Sequence, residues 1–462
     1  MQQSLVFDAE LIKKYDKAGP RYTSYPTAVQ FHTGFGVAEY RAAIARSNAE
    51  PTLRPLSLYF HIPFCDTVCF YCGCNKIVTK NRTRAVPYLE QLHREIALQG
   101  ELFDRRRVVN QLHWGGGTPT FISQEQMAAL MAVTRQHFTL RDDDHGEYSI
   151  EIDPREAKPG TMRFLRTLGF NRLSMGVQDF DPEVQRAVNR IQSQAETFDV
   201  LDEARDCGFK SVNIDLIYGL PKQSEKSFSH TLEQVIATDP DRLSVFNYAH
   251  LPEMFKVQRQ INAEELPSAA EKLAILHMTI DRLTAAGYVY IGMDHFAKPN
   301  DELAVAQRER TLYRNFQGYS THSDCDLVAM GVTSISMVAN TYAQNVKEID
   351  AYGERVAAGT LPIYRGIELN DDDVLRRDVI TRLICHFELD MADVEHRYGI
   401  TFTDYFAHEL SQLHDMTADG LVSLADGVIS VMPPGRLLIR NVCMVFDRYL
   451  REAREQRFSK VI

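Results

Sequence analysis

The chain has 462 residues, 44% hydrophobic and 24% charged, with a formal net charge of −11 and eight cysteines. That length supports two or three domains or one large barrel with additions, and the composition excludes a disordered or low-complexity chain. The acidic balance argues against nucleic acid as a partner, because that role needs a basic face.

The N-terminus has no basic segment leading into an apolar one, and no apolar run nears the roughly 20 residues of a membrane span, so a cytoplasmic location without a membrane partner is expected. In a reducing compartment, clustered thiols point to metal or redox chemistry rather than to disulfides.

Residues 1–50 are expected to form an N-terminal extension, with an ordered irregular patch at GPRYTSYPT (19–27). From 56 to 296 the sequence alternates. The runs LSLYFHIP (56–63), NQLHWGG (110–116), YSIEID (148–153), RLSMGVQ (172–178), SVNIDLIYG (211–219) and RLSVFNYAH (242–250) have the short, β-branched and aromatic character of strands. Between them lie helical spacings. In QEQMAALMAVTRQHF, Met127, Leu130, Met131, Thr134 and Phe138 share one face.

Three helix-like segments close on glycine plus an aromatic, at Gly169-Phe170, Gly208-Phe209 and Gly287-Tyr288, as left-handed helix ends require. Six β/α units can be counted, with a possible seventh strand over 288–296. The expected fold is therefore α/β, a partial (β/α)6 TIM-like barrel over 51–345, open at one side because eight units are needed for closure.

Beyond residue 345 the pattern becomes that of a mainly helical C-terminal domain, 346–462. It contains a hairpin over LVSLADGVISV (421–431) that turns at Asp426-Gly427, then Pro433-Pro434-Gly435 before a final helix. A winged-helix-like arrangement used for packing fits this pattern better than DNA binding in so acidic a chain.

The stretch YFHIPFCDTVCFYCGC (59–74) places Cys65, Cys69, Cys72 and Cys74 within ten residues, after a strand-like run and so in the loop where barrels hold their active sites. Structural zinc usually takes two separated ligand pairs, and no second pair is present. A [4Fe–4S] cluster draws several ligands from one short run, and three of them leave one iron open for a ligand. One intervening residue makes it awkward for Cys72 and Cys74 to reach separate corners of a cube, so Cys74 is expected to be a bystander, although spacing alone does not decide. Cys207, Cys325, Cys385 and Cys443 are read as buried apolar residues, and His61 as a hydrogen-bonded core residue.

On these residues the chain resembles the radical S-adenosylmethionine superfamily, whose CxxxCxxC spacing it carries. GPRYTSYPT, YFHIPFCDTVCFYCGCNK, HWGGGTPT, NRLSMGVQDF and NIDLIYGLP are similar to its oxygen-independent coproporphyrinogen III oxidase family over nearly the whole chain. The resemblance implies a [4Fe–4S] cluster on Cys65, Cys69 and Cys72 and two molecules of S-adenosylmethionine. Tyr59, Gly116, Glu151 and Ile335 match the positions that hold the first. Tyr71, Gly117, Thr118, Gln178, Arg190, Asp215 and Ala249 match those of the second.

It also implies coproporphyrinogen III as substrate, two propionates being converted to vinyl groups. A reduced electron donor such as flavodoxin or ferredoxin and a monomeric state are expected. Chemical sense can be made of several positions: Gly115 to Gly117 would leave room for a ligand's amino group, Glu151 would face a cationic centre, Asp215 would accept from ribose hydroxyls, and Arg190 would pair with a carboxylate. The substrate's four carboxylates suggest Arg21 and Arg314, the latter beside Gln317. The alternative is a haem-binding chaperone of the same superfamily, whose members lack the RYTSYP patch and carry an aromatic in place of Cys74.

Overall fold

Short apolar strands alternating with capped helices build one compact unit of the computed structural model, which describes residues 5–452. This unit comprises Phe31–Ser268 and Asp324–Glu368. Its strands are β1 (Leu56–Ile62), β2 (Val108–Gly116), β3 (Glu147–Ile152), β4 (Arg172–Gln178), β5 (Ser211–Tyr218), β6 (Arg242–Asn247), β7 (Asp326–Met330), β8 (Ile335–Val338), β9 (Thr341–Asn345) and β10 (Ile363–Glu368).

They lie in the order β6-β5-β4-β3-β2-β1-β7-β8-β9-β10. Pairing is parallel from β6 through β1 to β7 and antiparallel from there on. The parallel strands are the six expected ones plus β7. In β1 every residue except Tyr59 is buried, as parallel strands covered on both faces should be. Register sets Tyr59 beside His113 on one side and Ala329 on the other.

The crossover helices carry their own stop and start signals. The helix α3 (Gln124–His137) buries Met127, Leu130, Met131 and Thr134, with Phe138 closing the same face. Ser123, Ser193 and Ser224 cap α3, α5 (Gln194–Asp206) and α6 (Glu225–Ala237), each accepting a backbone N–H from the third residue of its helix. At the other end, Gly169 of α4 (Thr161–Leu168) takes φ 102° and Gly208 takes φ 75°. Phe170 N and Phe209 N then reach back to Leu165 O and Ala204 O, the helix closure expected from the glycine-aromatic pairs.

Two buried polar locks hold this unit. Arg107, with no exposed side-chain surface, pairs with Asp326 at 2.6 Å, and Ser47 of α1 (Val37–Asn48) donates to the same carboxylate. Glu95 of α2 (Ala85–Gly100) accepts from Gly331 N, Asn345 Nδ2 and Tyr352 Oη at 2.8, 2.7 and 2.6 Å. Burial pushes its carboxyl up to about 7. Tyr88, also on α2, donates to His61 O and accepts from Val332 N. One helix thus fixes both the exit of β1 and the turn after β7.

The second unit gathers the described parts of Met1–Gln30, Ala269–Ser323 and Leu369–Ile462. Its core includes Tyr15, Tyr22, Tyr25, Ile291, Leu383, Phe402 and Ile439. The expected hairpin is Val422–Ala425 with Val428–Val431, turned by Asp426 and Gly427 at φ 52° and 76°, and Glu388–Asp390 adds a third antiparallel strand. The possible seventh strand over 288–296 is instead a hairpin of this unit, Val289–Gly292 with His295–Ala297. Gly292 at φ 141° and Met293 at φ 54° turn the chain where a single strand would have run straight on. The RYTSYP patch is ordered: Arg440 Nε donates to Pro20 O at 3.0 Å, and Tyr22 Oη donates to Asp447 at 3.0 Å.

Candidate active site

The four clustered cysteines follow β1, and a short parallel bridge braces their loop. Phe64 and Cys65 pair with Ile77 and Val78. Phe64, buried between Phe121 and Tyr88, anchors it. Gly117 N and Thr118 N donate to Ile62 O and Phe64 O at 2.9 and 2.8 Å, tying the loop to the end of β2. All four are free thiols.

Their surroundings differ. Burial pushes the Cys65 thiol up to about 11 against the hydrogen bond from Thr118 Oγ1 at 3.6 Å. Cys69 receives Arg190 Nη1 at 3.6 Å and Arg155 Nη2 at 3.8 Å. A side-chain hydrogen bond from Cys74 brings the Cys72 thiol down to about 5, and Cys74 N also donates to its sulfur at 3.5 Å.

The glycine run of 115–117 is needed for close approach, though the neighbours are protein atoms. A Cβ on Gly115 would lie 2.7 Å from Glu151 Oε1, one on Gly116 2.7 Å from the His61 ring, and one on Gly117 2.7 Å from Phe64 O. Side chains at these three positions would therefore collide with Glu151, His61 and the cysteine loop itself.

Glu151, at the end of β3, accepts from Gly116 N at 3.1 Å and contacts His113 Nε2 at 3.3 Å. Its recessed position raises the carboxyl, but the His113 hydrogen bond and charge, with the Gly116 N–H, bring it below the usual range. Tyr59 stacks on His113 at 5.8 Å and shares a hydrogen bond of 3.1 Å with His61 Nδ1, whose Nε2 meets Asn75 O. His61 is thus the hydrogen-bonded residue the sequence suggested.

Asp215 on β5 accepts from Ser174 Oγ and Asn213 Nδ2 at 2.9 and 2.7 Å, and burial pushes it up to about 6. Arg190, expected to meet a carboxylate, already has one in Asp153 at 2.9 Å, and it also donates to Gly176 O at 2.5 Å. Its Nε and the Gln178 Oε1 are buried without a partner. Gln178 itself ends β4 at φ 69°. Such orphaned polar atoms at a strand end leave hydrogen-bonding capacity for a polar ligand.

Tyr71 and Ala249 are brought together by Gln258, whose Nε2 donates to Tyr71 O at 3.0 Å and Ala249 O at 3.3 Å. Ile335 begins β8, with β7 between it and β1. In the other unit, Arg21 is paired with Asp294 at 2.8 Å, while buried Arg314 leaves Nη1 unpartnered and lies 4.7 Å over the Tyr319 ring.

His113, Asp153, Arg155 and Gln258 are site residues that the strand pattern did not single out. A signal for two of them was present, because Asp153 and Arg155 lie just past the strand that carries Glu151, where barrel chemistry concentrates.

On donor chemistry the loop fits an iron–sulfur cluster. Three free thiols lie on one braced turn, burial holds the Cys65 thiol protonated unless a cation is near, and two guanidinium N–H donors are aimed at Cys69, the buried one.

A model of the radical SAM superfamily matches residues 59–235, and one of the HemN C-terminal domain matches residues 369–438. An oxygen-independent coproporphyrinogen III oxidase of Pseudomonas aeruginosa is 54% identical over 462 residues, with 100% of each chain covered. One of Escherichia coli is 53% identical over 461 residues, covering 100% of this chain and 99% of the relative. The solved coproporphyrinogen III oxidase (HemN) from Escherichia coli, described as a radical SAM enzyme, superposes with TM-score 0.92 at 52% identity. That match covers 97% of this chain and 100% of the other.

Proposed function

Because the chain belongs to the oxygen-independent coproporphyrinogen III oxidases of the radical SAM superfamily, we propose that it converts coproporphyrinogen III to protoporphyrinogen IX. Two propionate side chains each lose a β-hydrogen, CO2 and one further electron, leaving vinyl groups. The bound [4Fe–4S] cluster and S-adenosylmethionine supply the hydrogen-abstracting radical chemistry.

The protein's own groups bind and orient. Cys65, Cys69 and Cys72 hold three irons and leave the fourth open, while Cys74 supports the Cys72 thiolate without ligating. Glu151, kept ionised by His113 and Gly116, faces the cationic part of the cofactor. Tyr59, Gly116 and Ile335 complete the first cofactor position, and Asp215 accepts ribose hydroxyls at the second. A second S-adenosylmethionine is proposed against Tyr71, Gly117, Thr118, Gln178, Arg190, Asp215 and Ala249. The functional division is proposed as an extension over 1–50, a catalytic segment over 51–345 and a mainly helical C-terminal domain over 346–462. Reduced flavodoxin or ferredoxin as donor, a monomer and a cytoplasmic site of action complete the reading.

The observation that carries it is the loop after β1, whose free thiols Cys65, Cys69 and Cys72 receive Thr118 Oγ1, Arg190 Nη1 and Cys74 N respectively. The test is turnover by oxygen-free, iron- and sulfide-reconstituted protein given reductant, S-adenosylmethionine and coproporphyrinogen III. Protoporphyrinogen IX is expected. An intact cluster with no decarboxylation contradicts the reading.

A further inference from the structure

Asp153, just past β3, caps the short turn Pro154–Glu156 through Arg155 N. Its Oδ1 also accepts from Arg155 Nε at 3.0 Å, and its Oδ2 from Arg155 Nη2 at 2.7 Å, a two-point fork that leaves the guanidinium little freedom. The same Oδ2 accepts from Arg190 Nη1 at 2.9 Å. One carboxylate therefore holds two guanidiniums, and the trio keeps one net positive charge.

Both cations then present an N–H to Cys69 Sγ, at 3.8 Å from Arg155 and 3.6 Å from Arg190. Cys69, Asp153 and Arg190 are buried, so this charge is poorly screened. The other two sulfurs are served differently, Cys65 by the Thr118 hydroxyl and Cys72 by the Cys74 backbone N–H.

We propose that Arg155 is a positioning residue that, fixed by Asp153, raises the reduction potential of the cluster by donating to the Cys69 sulfur. The proposal rests on the reading of Cys69 as a cluster ligand. Reduction adds negative charge to an iron–sulfur group, part of it on the sulfurs, and hydrogen bonds or cations at a ligating sulfur stabilise the reduced form. Arg155 is the handle of choice, because its side chain is 17% exposed and its removal still leaves Asp153 paired with Arg190.

The experiment compares Arg155→Met and Arg155→Lys with the unsubstituted full chain, each reconstituted without oxygen and without substrate. Iron content, melting temperature, midpoint potential and the EPR spectrum of the reduced cluster are read. Arg155→Met is expected to shift the midpoint negative and alter the EPR spectrum, with Arg155→Lys recovering most of the shift. If the Met variant melts normally but holds no iron while the Lys variant does, the charge claim is also upheld. Unchanged potential and spectrum in Arg155→Met overturn it, as does an equal shift or equal iron loss in both variants. Failure of the unsubstituted chain to assemble any cluster strikes instead at the proposed function, so the two failures are distinguishable.

Discussion

Gly117 is packed so closely that an added methyl would meet Phe64 O at 2.7 Å and Phe64 N at 2.9 Å, both backbone atoms that cannot rotate away. Gly117→Ala is therefore expected to cost about 1–3 kcal/mol and to displace the loop that carries Cys65. Thermal unfolding and iron analysis of the reconstituted protein check this, and a normal melt with full iron content contradicts it. Cys74 makes a second test at this scale. Cys74→Ala is expected to keep its iron, whereas Cys65→Ala loses it; equal loss in both makes Cys74 a ligand. The cysteine cluster was legible because four thiols within ten residues after a strand-like run are chemically distinctive, whereas Glu151 and Asp215 stood out only through the resemblance. Gln258 and the Arg155–Cys69 contact were not, because they join residues 187 and 86 positions apart.

Among the elements, the six expected strands were legible from alternation, since parallel crossover units repeat one local pattern. The antiparallel extension β8 to β10 was not, because it follows a segment, 269–323, that folds with the other unit. Its place is secured by the two buried locks. Replacing Arg107 with Met leaves Asp326 charged and unpaired, an expected loss of about 3–5 kcal/mol in chemical denaturation. The double variant Arg107→Met, Asp326→Leu should recover much of it.

Glu95 gives a pH signature. Its carboxyl moves from 4.5 to about 7 on folding, so below 4.5 both states hold the proton, and between 4.5 and 7 the unfolded chain gives it up first. Stability then falls as pH rises through that window, by about 3 kcal/mol at roughly 1.4 kcal/mol per unit. Glu95→Gln removes that decline at some fixed cost. Denaturation at pH 5 and pH 7.5 decides, and an equal decline in the variant contradicts the assignment.

For the molecule as a whole, a net charge of −11 coexists with a small set of cations held at specific points, Arg155 and Arg190 at the cysteine loop and Arg21 and Arg314 in the other unit. Among the described residues no helix is long and apolar enough to cross a membrane. The two cofactor positions proposed above imply a countable stoichiometry. Equilibrium dialysis of the cluster-loaded protein is expected to find two S-adenosylmethionine molecules per chain, falling to one in Asp215→Ala, and a single site in the unsubstituted chain contradicts the two-site reading.

The central claim, that hydrogen leaves the propionate β-carbon for the cofactor-derived fragment, is tested most directly with coproporphyrinogen III deuterated at that carbon. Mass spectrometry is predicted to find deuterium in the 5′-deoxyadenosine and a porphyrinogen lighter by two CO2. Decarboxylated product accompanied by deuterium-free 5′-deoxyadenosine would contradict it.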